Sequence, residues 1–196
     1  MNLANRLTFM RILLVPIFIV FIAVRTPYGN IIATAVFIIA ASTDKLDGYI
    51  ARSRNQITVF GKFMDPLADK LLVTAALISL VELQIMPGWA ATIIIAREFA
   101  ISGLRTIAAA EGIVIAASKW GKIKTVVQIV AIIFALIKVN VDAILDVKLF
   151  IDSIIPNATG FLNIMTVATL YLAVIITIIS GVDYFIKNKH AIIYDK

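Results

Sequence analysis

A chain of 196 residues fits a single domain spanning 1–196, and 61% of it is hydrophobic with a mean hydropathy of +1.00, well above the roughly 45–50% apolar content of a soluble domain. The formal charge is +6, but the 18 Lys and Arg fall at the ends of apolar runs and form no polar basic face with interleaved aromatics, which argues against a nucleic-acid partner. With no cysteine there is neither a disulfide framework nor a thiolate metal site, and a single histidine, His190 in a polar tail, argues against zinc chemistry and Ser-His catalysis.

Crossing the hydrocarbon of a bilayer takes about 20 mainly apolar residues as helix. Six stretches qualify in chain order: roughly 7–24, 31–52, 66–84, 88–110, 121–138 and 163–186. The fold class expected is therefore all-α and integral to a membrane, a bundle of six transmembrane helices. The breaks carry turn chemistry at Thr26-Pro27-Tyr28-Gly29-Asn30, at Pro87-Gly88 and at Pro156-Asn157-Ala158-Thr159-Gly160. Segment 141–155, with Asp142, Asp146 and Asp152 among Ile, Leu and Phe, reads as an amphipathic piece on the membrane surface. The first run lacks a small-residue cleavage site and leads into further spans, so it is expected to stay as a helix.

Positive residues mark the cytoplasmic ends of spans. Arg6, Arg11, Lys45, Arg52, Arg54, Lys62, Lys70, Arg97, Arg105, Lys119, Lys122, Lys124, Lys187, Lys189 and Lys196 fall on one side, and only Arg25, Lys138 and Lys148 on the other. Both termini are thus expected in the cytoplasm, in a multi-pass protein of the cell membrane.

The second run ends Asp44-Lys45-Leu46-Asp47-Gly48-Tyr49-Ile50-Ala51-Arg52, and the third begins Gly61-Lys62-Phe63-Met64-Asp65-Pro66-Leu67-Ala68-Asp69. Residues three and four apart share a helix face, so 44, 47, 48, 51 and 52 form one stripe and 61, 65 and 69 another. The short polar link 53–60 makes the two helices antiparallel neighbours, so the stripes can converge. Carboxylates at membrane depth cost a few kcal/mol each and repel one another, which calls for a compensating cation. All-oxygen donors favour a hard ion, Mg²⁺ or else Mn²⁺ or Ca²⁺. Gly48 and Gly61 clear side chains from the same faces for a bulky ligand. Any one of these aspartates alone also reads as an interfacial charge beside a lysine, as Asp44 with Lys45 or Asp69 with Lys70; four on two facing stripes do not.

The spacing Asp-x2-Asp-Gly-x2-Ala-Arg-x8-Gly-x3-Asp-x3-Asp, carried by Asp44, Asp47, Gly48, Ala51, Arg52, Gly61, Asp65 and Asp69, resembles the full signature of the CDP-alcohol phosphotransferases. The resemblance implies a site with two metal ions at the cytoplasmic side, a cytidine diphosphate-linked donor, and an acceptor alcohol whose hydroxyl attacks phosphorus as CMP leaves. It implies Asp44, Asp47 and Asp65 as metal ligands, Asp69 as ligand and general base, and a homodimer. Two metals a few Å apart suit such a displacement, neutralising the diphosphate and holding the attacking oxygen in line.

The opening Asn5-Arg6-Leu7-Thr8-Phe9-Met10-Arg11 is similar to that of bacterial phosphatidylglycerophosphate synthases, where the helix start helps line the nucleotide pocket, although Ala4 stands where a proline is common. On this basis Asn5, Thr8, Gly48, Ala51, Arg52 and Gly61 are expected around the CDP-lipid. Arg6 and Arg11 also read as charges flanking a span.

The stretches Ala96-Arg97-Glu98, Ile101-Ser102, Leu104-Arg105 and Gly121-Lys122-Ile123-Lys124-Thr125 resemble the same enzymes. Arg97 lies deep in an apolar run with Arg105 two turns on, and such an arginine calls for an anionic partner. With Lys122 and Lys124 they form a candidate cup for an acceptor phosphate. The plainer alternative pairs Arg97 with a site aspartate, lets Arg105 reach to the interface and leaves the lysines flanking a span.

The expected reaction is transfer of a phosphatidyl group from CDP-diacylglycerol to sn-glycerol 3-phosphate, a step of phosphatidylglycerol and cardiolipin synthesis. The same transfer to an inositol phosphate or to serine is the nearest rival; serine has no use for a cationic cup. A divalent-metal transporter is a rival of another class, but its carboxylates would be expected near the midplane of repeated halves, and no repeat is present.

Overall fold

The computed structural model describes residues 3–53, 59–110, 112, 115 and 118–188, with the backbone alone at 3–8, 44–53, 59–66, 69 and 110. Among them there are seven helices and no strand: α1 (Leu3–Ala23), α2 (Pro27–Ser53), α3 (Val59–Glu82), α4 (Gly88–Ala110), α5 (Lys119–Ala143), α6 (Leu145–Ile154) and α7 (Ala158–Lys187). Each of the six expected apolar stretches falls on one long helix. The helices outrun the apolar runs because polar residues continue the same backbone: α3 begins at Val59 and so takes in Asp65 as well as Asp69. The surface piece expected over 141–155 is divided, with 141–143 closing α5 and Leu145–Ile154 forming the short α6.

The turns follow their residues. Thr26 accepts a hydrogen bond on Oγ1 from the Gly29 amide at 3.1 Å as Pro27 opens α2, the position where a missing amide hydrogen costs least. A Cβ on Gly29 would stand 2.7 Å from the Phe21 carbonyl oxygen, so glycine lets α2 leave close against α1. Gln84, at φ +58°, turns the chain after α3, while the Ile85 amide donates to the Leu80 carbonyl at 3.0 Å. Asn157, at φ +63°, makes the turn into α7. There Asp152 of α6 accepts from the Thr159 amide at 3.0 Å and from its hydroxyl at 2.7 Å, and those two bonds hold its carboxyl below the usual aspartate range.

The core is apolar and fine-grained. Phe18 of α1 meets Phe37 of α2 with ring centroids 6.0 Å apart, and Leu72, Leu80, Ile94, Ile132 and Leu136 are fully buried around them. Ala33, Ala40, Ala76, Ala131 and Ala135 are buried too, allowing close helix approach in the manner of membrane bundles. Outward faces are equally apolar: Val20, Ile39, Ile78, Ile107, Ile164 and Ile186 are all more than half exposed. A surface of that kind on every long helix suits lipid contact. Among the described residues α5 and α7 are each long and apolar enough to cross a membrane, with mean hydropathies of 2.0 and 2.3; Phe9–Ala23 and Pro27–Thr43 are shorter apolar segments.

Polar contacts divide the bundle into two ends. At one, Arg25 donates to Glu82 at 2.7 Å and Asn140 donates to Thr34 at 2.8 Å, gathering the end of α1, the start of α2 and the ends of α3 and α5. At the other, Arg97 and Arg105 of α4 reach Ser180 and Tyr184 of α7, and Lys124 of α5 pairs with Glu98. The second end is where the sequence concentrates its chemistry.

Candidate functional site

A cavity of about 370 Å³ opens at that second end. Its lining includes Lys70 of α3, Arg97, Ser102 and Arg105 of α4, Lys122 of α5 and Ser118 just before α5. Ser118 caps α5 by accepting from the Gly121 amide at 3.0 Å, which fixes the turn from which Lys122 projects. Gly121 lies in the wall, and a Cβ there would sit 3.9 Å from Arg97 Nη2.

Arg97 is held on three sides. Its Nη2 donates to Ser180 Oγ at 2.6 Å, its Nη1 stands 3.7 Å from Glu98 Oε2, and its stem passes Gly181 of α7, where a Cβ would stand 3.4 Å from Arg97 Cγ. Its Nε is buried and has no hydrogen-bond partner among the described residues. Arg105 donates through Nε to Tyr184 Oη at 3.1 Å, with Cζ 5.4 Å from the tyrosine ring centroid. Lys124, expected beside Lys122, is fully buried and forms an ion pair with Glu98 behind the cavity wall. Among the described residues, Arg97, Arg105 and Lys122 therefore face a space whose carboxylate, Glu98, is already shared with Lys124. Electrostatics and donor geometry there suit a compact anion such as a phosphate.

The expected metal ligands fall on two helices in contact: Asp44 and Asp47 in the closing turns of α2, Asp65 and Asp69 in the opening turns of α3. Gly48, Ala51 and Arg52 belong to the same closing turns and Gly61 to the opening ones, while Asn5 and Thr8 sit at the start of α1. The side chains of all these residues lie outside the described set, as do Arg54, Lys189, His190 and Lys196 altogether. Lys70, the residue after Asp69, lines the cationic cavity, so the aspartate-bearing turn of α3 borders the cup. Four carboxylates on adjoining helices are a donor set that fits hard divalent ions.

Arg11 is another cation at depth. Readable from the sequence either as a flanking charge or as part of the nucleotide-side opening, it is fully buried, one turn beyond Thr8 on α1. Sequence reasoning missed Ser180, Gly181 and Tyr184, which hold the two arginines from a helix read only as hydrophobic. The available signal was polar and small residues at 180, 181 and 184, one turn apart on an otherwise apolar helix.

The family model described as CDP-alcohol phosphatidyltransferase matches residues 1–179. Among curated proteins, the CDP-diacylglycerol–glycerol-3-phosphate 3-phosphatidyltransferase of Bacillus subtilis is 41% identical, over 97% of this chain and 97% of its own. The protein of the same name from Haemophilus influenzae is 36% identical over 98% of this chain and 96% of its own. A probable phosphatidylglycerophosphate synthase of Mycobacterium tuberculosis is 37% identical over 93% of this chain and 79% of its own.

Proposed function

The chain belongs to the CDP-alcohol phosphatidyltransferase family, and from that premise we propose that it is a membrane enzyme moving the phosphatidyl group of CDP-diacylglycerol onto sn-glycerol 3-phosphate. The products are phosphatidylglycerophosphate and CMP. The observation that carries the choice of acceptor is the cavity walled by Arg97, Arg105 and Lys122 beside the aspartate-bearing end of α3. A serine acceptor would leave those cations facing no phosphate.

In this reading the acceptor phosphate sits against Arg105 and Lys122, with Arg97 at its inner edge and Lys124 acting from behind through Glu98. That leaves the acceptor's free 1-hydroxyl turned toward α3. Its oxygen bonds to the phosphorus that carries the diacylglycerol, the bond from that phosphorus to the CMP oxygen breaks, and Asp69 takes the hydroxyl proton. Asn5, Thr8, Gly48, Ala51, Arg52 and Gly61 surround the CDP moiety, with the small residues giving it access to backbone. Asp44, Asp47, Asp65 and Asp69 would hold two Mg²⁺ ions, which when bound neutralise the diphosphate and the departing phosphate.

The six long helices are proposed to span the membrane with both termini and the cup in the cytoplasm, α6 lying at the opposite surface, and two copies pairing as a homodimer. Support comes from the apolar outer faces and from the bias of Lys and Arg toward the site end. As the chain has no native cysteine, Ser53→Cys and Asn188→Cys are clean labelling sites: each should react with an impermeant maleimide only after the cells are opened. Reaction in intact cells would reverse the orientation. The activity itself is tested by purified protein in detergent with CDP-diacylglycerol: CMP should appear with glycerol 3-phosphate and Mg²⁺, and stop on chelation. CMP release with serine or an inositol phosphate in preference to glycerol 3-phosphate would refute the acceptor.

A further inference from the structure

Tyr184 is fully buried near the end of α7, yet its hydroxyl is spent on a residue of another helix: it accepts from Arg105 Nε at 3.1 Å while the guanidinium carbon stands 5.4 Å from its ring centroid. A guanidinium is a rigid plane with five N–H donors. Fixing Nε fixes the direction of both Nη groups, and among the described residues neither Nη of Arg105 donates to protein. They belong to a side chain that lines the cavity. One helical turn earlier on α7, Ser180 takes a donor of Arg97, and Gly181 leaves room for that arginine's stem. Helix α7 thus meets α4 through two arginine contacts, of which one engages Nε of a side chain that lines the open space.

We propose that Tyr184 is a positioning residue for acceptor recognition: by engaging Nε, it aims the Nη fork of Arg105 at the acceptor's phosphate, so that specificity for a phosphorylated alcohol depends on a hydroxyl that never touches substrate. This rests on the cavity being the acceptor-phosphate site. Removing the hydroxyl leaves the ring in place and the charge intact, but lets the fork rotate, which weakens a bidentate contact more than a single charge attraction.

The test is steady-state kinetics of Tyr184→Phe in detergent with both substrates varied, together with Arg105→Lys and the double variant. Lysine has no Nε fork to orient, so the two substitutions should not add. Expected for Tyr184→Phe is a rise of about five- to tenfold in KM for glycerol 3-phosphate, the size of one ordinary hydrogen bond, with kcat and the KM for CDP-diacylglycerol within about twofold. In the Arg105→Lys background the same change should have no further effect. An unchanged KM for glycerol 3-phosphate overturns the proposal. So does a loss shared by kcat and both KM values with a lowered thermal midpoint, which is the mark of a merely structural tyrosine. So does an undiminished effect in the Arg105→Lys background. If wild-type protein turns over glycerol as fast as glycerol 3-phosphate, the reading of the cavity fails first, and the inference with it; the wild-type control separates that outcome from the others.

Discussion

The aspartate hairpin of α2 and α3 and the cationic cup of α4, α5 and α7 lie side by side at one end of the bundle, and they are built in opposite ways. The hairpin is local: its four carboxylates are confined to residues 44–69, on two helices joined by a short link. Helical periodicity alone sets which of them share a face. The cup is assembled from residues 70, 97–105, 118–122 and 180–184, and no short stretch contains it. A site made from one hairpin survives as a sequence pattern, whereas a site made by helix packing depends on residues whose contribution is to hold others in place.

If that contrast is right, damage to the two regions should differ in kind. The largest effect expected is from Asp69→Asn in the hairpin: CMP release should fall by about 10²- to 10⁴-fold, the usual contribution of a general base, while nucleotide binding measured by isothermal titration persists through the remaining ligands. Near-normal CMP release would remove Asp69 from its role. The cup should instead fail through its supports. Lys124→Met leaves Glu98 with its buried partner gone and should lower stability by roughly 3 kcal/mol, seen as a lower thermal midpoint in detergent, with Lys124→Met/Glu98→Gln recovering part of the loss. An unchanged midpoint would mean the pair contributes nothing to holding α4 against α5.

Legibility in the sequence follows the same division. The helices were readable because apolar runs of spanning length are bounded by Thr26-Pro27, Pro87-Gly88 and Pro156-Asn157, each of which ends or begins a helix for a local steric reason. Less readable were the ends, since 59–65 and 139–143 continue helices beyond the apolar runs. The cations at 97, 105 and 122 were findable as charges where charge is costly, and all three line the cavity. What spacing could not convey is which way a long side chain turns. Lys122 and Lys124 are two residues apart and so point to different sides of α5, one to the cavity and the other to Glu98. Arg11 looks like a flanking charge until packing buries it. Ser180 and Tyr184 act only through partners about 80 positions away in the chain, a relation with no local signature.

The opposite end of the bundle supplies a control. Its hollow of about 140 Å³, between the turn at 85–90 and 167–174 of α7, is lined among the described residues without a charged side chain, and its ion pairs, Arg25 with Glu82 and Asp142 with Lys138 and Lys148, are all at least partly exposed. A pair of that kind contributes little. Charge is buried at the end that also carries the aspartates.

The central claim is that the cup exists to bind the phosphate of the acceptor, and Arg105 is the residue on which it turns. The most direct measurement is the ratio of kcat/KM for glycerol 3-phosphate to that for glycerol, taken for wild-type protein and for Arg105→Ala in the same CMP-release assay. The account predicts a strong preference for glycerol 3-phosphate in the wild type. In the variant that preference should fall by about 1–3 kcal/mol, through KM for glycerol 3-phosphate alone and with the KM for CDP-diacylglycerol unchanged. Equal rates with the two acceptors in the wild type, or a ratio that Arg105→Ala leaves untouched, would contradict it.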